Sequence, residues 1–217
     1  MEDLSQAGLE CAGDRVTRIL YSTDASIYQI MPVAVAWPND TSQVSAAVEI
    51  ARKYPVPVLP RGGGSSLAGQ AIGEALILDL SRYMDHILAY HPRERTVEVQ
   101  PGVVLGALNR RLSGDGLTFG PDPASADRAT VGGVLGNNAT GAHSILYGMA
   151  HDHLLETEAV LSDASVVQFK SLSEPGLASL NKGGSLAGNI SRELPALLKR
   201  YQSEIAANFP KTFRNVA

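Results

Sequence analysis

The run Val56–Leu59 (VPVL) leads straight into Pro60-Arg61-Gly62-Gly63-Gly64-Ser65-Ser66, and a helix-length segment closes just before it at Pro55. Asp40 or Thr41 can cap that segment, in which Val44, Ala47, Val48 and Ala51 repeat at the spacing of one helix face. Ahead of it, Val33–Trp37 (VAVAW) reads as a short buried strand ended by Pro38. Strand, helix and strand in this compass form a βαβ unit, and its two strands are expected to be parallel neighbours. Leu76–Leu80 (LILDL) supplies a third strand. The chain therefore mixes helices with sheet, and a glycine loop follows the second strand of its first unit.

Three consecutive glycines let the backbone take positive φ and let an anion approach main-chain N–H groups. Ser65 and Ser66 add hydroxyl donors. Such a nest suits a phosphate or a pyrophosphate; a glycine-rich turn with no ligand is the other reading, and the loop alone does not choose. Two phosphate motifs fail on their residues. Gly64 and Gly69 have the spacing of a Walker loop, but Gln70 and Ala71 stand where lysine and Ser/Thr are required. NTP hydrolysis is therefore unsupported. The dinucleotide fingerprint fails at Leu67, which occupies the place of its third glycine.

From about residue 86 the texture changes. Thr96–Gln100 (TVEVQ) alternates like a half-buried antiparallel strand, and Val104, Leu105, Leu108 and Leu112 mark a helix closed by Gly114 and Gly116. Residues 119–148 are rich in Gly, Pro, Asn and Ser, too long for a plain turn and poor in acid–base side chains. That profile suits wrapping a large flat ligand through main-chain contacts. Thr157–Leu161 and Ser165–Phe169 read as a hairpin across Ser162-Asp163-Ala164. The first thirty residues read as a polar helix and an irregular lead-in. A last helix is expected over 194–207, with Pro195 in its first turn. GGSLAG at 183–188 echoes GGSSLAG at 63–69, but no strand precedes it and it reads as a flexible loop.

Charge and cysteine content remove several classes. With a net charge of −4 and no Lys/Arg cluster, nucleic acid is an unsuited partner. The single cysteine, Cys11, excludes an intrachain disulfide. The acidic start lacks a signal-peptide pattern, and no apolar run reaches the ~18 residues that span a bilayer. The expected compartment is the cytoplasm, with peripheral attachment to the inner membrane left open.

Together, PRGGGSSLAG, PDPASADRATVGG with NNATGAHSILYG, and LLETEAVLSDASVVQF resemble the FAD-binding domain of the vanillyl-alcohol oxidase / para-cresol methylhydroxylase family. The closer likeness is to the branch of D-lactate dehydrogenases and the flavin subunit of glycolate oxidase, over roughly residues 14–170. The resemblance implies an α+β fold, an FAD-binding PCMH-type domain of two α/β subdomains. A small parallel sheet with helices (1–85) would be followed by a mainly antiparallel one (86–175), and 176–217 would lead to a cap domain outside this chain. It implies that Arg61, Gly62, Gly63, Gly64, Ser65 and Ser66 cradle the FAD pyrophosphate, with Pro60 leading in and Gln70 nearby. Pro121 and Asp122, with Ala129, Thr130, Gly132 and Gly133, would run along the ribityl chain and flavin ring. Asn137, Ala139 and Gly141 would pack beside the isoalloxazine, Tyr147 and Gly148 would close that loop, and Val160 would meet the adenine end. Some members of the family tether FAD through histidine or cysteine. Here the loop offers only serines, so binding is expected to be non-covalent, with His143 the one candidate to overturn that.

The implied reaction is oxidation of a 2-hydroxy acid such as lactate or glycolate, with hydride passing to flavin N5. The substrate and the acid–base residues would belong to the cap, and the catalytic residues are not assigned within this chain. The electron acceptor is open, an iron–sulfur segment or subunit being one option. A non-catalytic flavin- or nucleotide-binding subunit and a reductase of the cell-wall-precursor type are the competing functions. His151 and His153, two apart, suggest a metal only if they lie on a strand; as loop residues they need none, and no metal is expected. Asp79 and Asp85 near Arg82 read as surface pairing, and Trp37 as core.

Overall fold

The computed structural model describes residues 1–173, 176 and 184–209, which fall into two compact units, residues 1–154 and those from 155 onward. The first unit opens with α1 (Glu2–Gln6), β1 (Glu10–Ala12) and α2 (Arg15–Leu20), where the sequence suggested one polar helix and an irregular lead-in. The βαβ unit follows as β2 (Ala34–Trp37), α3 (Thr41–Lys53) and β3 (Val58–Arg61), and then β4 (Leu76–Asp79). Asp40 is the cap of α3, its carboxylate accepting from the Gln43 N–H at 2.9 Å.

The strand order is β1-β2-β4-β3, with β2, β4 and β3 parallel and β1 antiparallel at the edge. The two strands of the βαβ unit are therefore parallel but not neighbours, because β4 inserts between them. The physical reason lies in their side chains. Every residue of β4 is buried, as suits a central parallel strand covered on both faces, whereas β3 carries Pro60, which has no N–H to donate to a second neighbour. One face of the sheet packs Ala34, Ala36, Leu76 and Leu78 against Leu4 and Leu9 and against Ala47 and Ala51 of α3. The other face packs Val35, Trp37 and Ile77 with Tyr21 and Tyr83. Trp37 is core, as its sequence context suggested.

The rest of the first unit builds a second core. β5 (Ile87–His91), which the sequence did not reveal, pairs antiparallel with β6 (Thr96–Val99), and α4 (Leu105–Ser113) follows. Leu105, Leu108 and Leu112 of α4 pack with Val103, Ala129, Val131, Val134 and Ala150. The glycine-rich stretch after it is not one long loop. It holds α5 (Val131–Gly136) and α6 (Ser144–Tyr147), and a 3-10 turn over Ala150–His153 ends it.

In the second unit, β7 (Glu156–Val160) and β8 (Val166–Lys170) form the expected antiparallel hairpin. α7 (Leu186–Arg200) and α8 (Gln202–Asn208) come after it. α7 begins eight residues before the expected 194, because Ser185 accepts from the Gly188 N–H at 3.2 Å and caps it there. The second glycine echo is thus a helix start over its described residues 184–188, and Pro195 stands inside the helix rather than in its first turn. The PCMH-type reading of the fold, with a parallel-containing sheet and antiparallel sheets, agrees with this architecture. Among the described residues no helix is long and apolar enough to cross a membrane.

Candidate functional site

The glycine loop leaves the end of β3, and its main chain is open to a ligand. Among the described residues, none of the main-chain N–H groups from Gly62 to Leu67 donates to a protein acceptor; the next one, of Ala68, donates to Gln70 Oε1 at 3.2 Å. Six successive amides without acceptors are what a polyanion can use. Gly64 and Gly69 supply the positive φ values of the loop, +62° and +81°.

The second glycine region meets the first at close range. A Cβ on Gly62 would collide with the Thr130 hydroxyl, and one on Gly63 with the carbonyl oxygen of Arg128. Gly62 and Gly63 are therefore glycine for a packing reason as well: they let the loop lie on residues 128–130. The Thr130 side chain is only 3% exposed, and its hydroxyl has no hydrogen-bond partner among the described residues. A buried hydroxyl in that state is costly unless a ligand or water serves it. Gln70 also reaches across, its Nε2 donating to Asn137 Oδ1 at 3.3 Å. Gly132 packs on Pro101, 2.7 Å from its Cβ to a Cβ built on the glycine, and Gly133 lies one turn beyond Thr130.

Further along, Gly141 allows a close approach to the carbonyls of Pro121 and Asp122, and Asp122 itself has φ +49°. The Ala142 N–H donates to Asp122 O at 3.2 Å, and His143 Nδ1 stands 3.4 Å from Asp122 Oδ2, both side chains about half exposed. Tyr147 packs on Gly120 and its carbonyl accepts from, or faces, His153 Nε2 at 2.8 Å. Gly148, φ +82°, makes room for the Asp152 carboxylate, which accepts the Met149 N–H at 2.7 Å. Ala139 joins the turn through its carbonyl, which accepts from Ala150 N–H at 3.1 Å. His151 contacts Asn138 Oδ1 at 2.9 Å and Asp152 Oδ1 at 2.9 Å. On a 3-10 turn His151 and His153 do not share a face, which removes the strand condition of the metal reading.

The first unit thus brings several of the expected residues into local contact. Gly62 and Gly63 lie against Arg128, Ala129 and Thr130, and Gln70 reaches Asn137, while Gly141 lies against Pro121 and Asp122, Tyr147 against Gly120 and Gly148 against Asp152. Val160 is not among them; it lies in β7 of the second unit, paired with Val166.

Sequence reasoning missed the segment from Tyr21 to Ile30, which straps the glycine loop. The Ala25 N–H donates to Gly64 O at 3.0 Å, and the Tyr28 ring lies 3.1 Å from where a Cβ on Gly69 would stand. Burial raises the Asp24 carboxyl, but hydrogen bonds from Ser26 and the Ala71 N–H outweigh it and leave the pKa below the ordinary value. At the root of the strap, the Tyr21 hydroxyl donates to buried Asp79 at 2.5 Å and accepts from Trp37 Nε1 at 2.9 Å. Burial, then the Asp79 bond, pushes the Tyr21 phenol up to about 12. Asp79 is therefore not a surface partner of Arg82. It holds Tyr21 and Ser81, whereas Arg82 pairs with Glu10 at 2.8 Å and stacks on Trp37. The Asp-Ala-Ser turn at 24–26 was the only sequence signal for the strap.

The parallel sheet, the unbonded amides and the facing glycine region together define a flavin-nucleotide-binding domain. The chain belongs to the FAD binding domain family, whose pattern it matches over residues 32–170. It is 34% identical over 221 residues to D-2-hydroxyglutarate dehydrogenase of Escherichia coli (strain K12), covering 99% of this chain and 22% of that protein. It is likewise 34% identical over 153 residues to glycolate oxidase subunit GlcD of Bacillus subtilis (strain 168), covering 70% of this chain and 33% of that one. Among solved structures, the xylooligosaccharide oxidase from Myceliophthora thermophila C1 superposes with a TM-score of 0.69 at 26% identity, over 81% of this chain and 38% of the oxidase. The chain spans about a fifth of the length of the D-2-hydroxyglutarate dehydrogenases it matches. It corresponds to the FAD-binding part of FAD-linked dehydrogenases and oxidases.

Proposed function

We propose that this chain is the FAD-holding half of an oxidoreductase that oxidises a 2-hydroxy acid, with the substrate bound by a cap domain outside the chain. The observation that carries the reading is the run of amides from Gly62 to Leu67 that find no acceptor among the described residues, opposite a Thr130 hydroxyl that finds no partner among them. These groups fit a diphosphate: Pro60 and Arg61 lead into the cradle, and Gly62, Gly63, Gly64, Ser65 and Ser66 would line it. Ala129, Thr130, Gly132 and Gly133 would follow the ribityl chain with Pro121 and Asp122. Asn137, Ala139 and Gly141 would border the ring, Tyr147 and Gly148 would close that loop, and Gln70 would lie near the pyrophosphate. FAD, when bound, supplies the two-electron acceptor; the residues here hold and orient it and exclude water. We take 1–85 and 86–175 as the FAD-binding subdomains and 176–217 as the lead to the cap; the separate cores around Ile77 and Leu108 support the first boundary, while the second compact unit begins at residue 155, within the second subdomain.

The names of the relatives, a D-2-hydroxyglutarate dehydrogenase and a glycolate oxidase subunit, support a 2-hydroxy acid as substrate class. Attachment would be non-covalent. Cys11 lies in β1, packed against the Leu4 and Ala47 core, and the glycine loop offers only serines. The electron acceptor, an iron–sulfur segment or subunit among the options, would belong to the remainder of the protein. The lone cysteine supports a cytoplasmic setting, with peripheral membrane attachment assigned to parts outside this chain.

The test is anaerobic addition of D-2-hydroxyglutarate, D-lactate and glycolate to the complete polypeptide loaded with FAD. Bleaching of the flavin absorbance by one of them is the expected result. A flavin that stays oxidised with all three, yet is reduced by a nicotinamide nucleotide, would move the protein to the cell-wall-precursor type of reductase.

A further inference from the structure

The cationic side chain of the glycine loop does not face outward to a ligand. Arg61 Nη1 donates to Ala71 O at 2.9 Å and to Tyr21 O at 3.4 Å, and its Nη2 donates to Thr23 O at 2.8 Å. The guanidinium carbon sits 5.3 Å from the centre of the Tyr21 ring. Gly64 folds over the same group, so that a Cβ there would stand 2.6 Å from Nη2. The loop from 62 to 70 is thus wrapped around the arginine at its base. One end is closed to Ala71, and the strap is drawn down by two of its carbonyls.

The geometry points to Arg61 as a positioning residue that sets the shape of the amide loop, rather than a ligand that neutralises phosphate charge. The inference rests on the reading that this loop holds the FAD diphosphate, and it deepens that reading by assigning the recognition to main-chain dipoles. A planar fork with donors in fixed directions can hold three carbonyls at once, which an ammonium on a flexible stem cannot reproduce. Asp24 works on the same strap from the other side: its carboxylate accepts the Ala71 N–H at 3.4 Å. The carbonyl of Gly64 accepts from Ala25 at 3.0 Å, so strap and loop are held as one piece.

The experiment compares Arg61→Lys and Arg61→Gln with the unaltered chain. FAD affinity is measured at low and high salt, and amide hydrogen exchange is measured without FAD. Both variants are expected to weaken FAD by roughly tenfold to a hundredfold, the range for losing hydrogen bonds to a charged group. The ratio to the unaltered chain should not change with salt, since no phosphate charge contact is lost. Without FAD, the Ala25 amide should exchange faster in both variants while Val35 and Ile77 stay protected. An Arg61→Lys chain that binds like the unaltered one, beside an Arg61→Gln chain whose deficit shrinks at high salt, overturns the inference. So does unchanged protection of Ala25. Failure of the unaltered chain to bind FAD would sink the functional reading alone, because the exchange arm still decides whether Arg61 braces the loop. Should one variant lose protection at Ile77, the other decides: faster exchange at Ala25 with Ile77 still protected supports the inference, and no change overturns it.

Discussion

A methyl group on Gly62 tests whether the two glycine regions are locked as the structure places them. Built on the backbone, it would overlap the Thr130 hydroxyl and stand 3.1 Å from both Thr130 Cβ and Cγ2. Thr130 is 3% exposed and β-branched, so it has no free rotamer in which to retreat. Overpacking of a filled site costs about 1–3 kcal/mol, which is roughly 5- to 150-fold in an equilibrium constant. Gly62→Ala should lose that much stability in urea unfolding of the FAD-free chain. Removing the obstacle should return part of it: in Gly62→Ala/Thr130→Ala the hydroxyl and Cγ2 are gone, and the two changes should couple favourably by about 1 kcal/mol. Gly63→Ala meets the main-chain carbonyl of Arg128 instead, so Thr130→Ala should not help it. Gly136→Ala, at the end of α5 with nothing within 4 Å of the added carbon, is the control and should cost nothing. Equal losses for Gly62→Ala with and without Thr130→Ala would refute the packing argument.

The unfolded Tyr21 phenol ionises near 10 but the folded one holds its proton to about 12, so stability should fall as pH rises through that window. Tyr21→Phe should remove this part of the fall in urea midpoints measured against pH. Asp40→Ala deletes the cap of α3 and should cost about 1 kcal/mol. The Ser42 hydroxyl and then the Gln43 N–H hold the Asp40 carboxyl below its ordinary value, so its contribution is present above the ordinary range and fades as pH drops through the lowered one. Unfolding the FAD-loaded chain in acid should release all of the flavin into the supernatant; colour retained on the polypeptide would refute non-covalent binding.

The parts of the fold legible in the sequence were those that a local pattern decides. Asp40 and Pro55 bracket α3, and the apolar stripe between them fixes its buried face. The order of strands was misread because parallel pairing is a choice among partners, and the cue was the fully buried β4 beside a proline-bearing β3. β1 is short and pairs with β2 residues such as Trp37 and Val35, far along the chain, which no local window reveals, and the pairing of β5 with β6 is broken by a register shift between Ile87 and Ala89. At the site, the glycines advertised where backbone comes close. What they approach did not show, since Gly62 meets Thr130 and Gly141 meets Pro121 only once the chain is folded. The strap from Tyr21 and the burial of Asp79 stayed hidden for the same reason: a Tyr–Asp bond across 58 residues leaves no local trace.

Nitrogen-15 NMR of the chain titrated with FAD and then with riboflavin tests directly whether the amides of Gly62 to Leu67 hold a diphosphate. FAD should move these six amide signals well downfield together, with the Thr130 amide region responding, while riboflavin, which has no phosphate, should leave them in place. Signals that stay fixed with FAD, or that move alike with riboflavin, would contradict it.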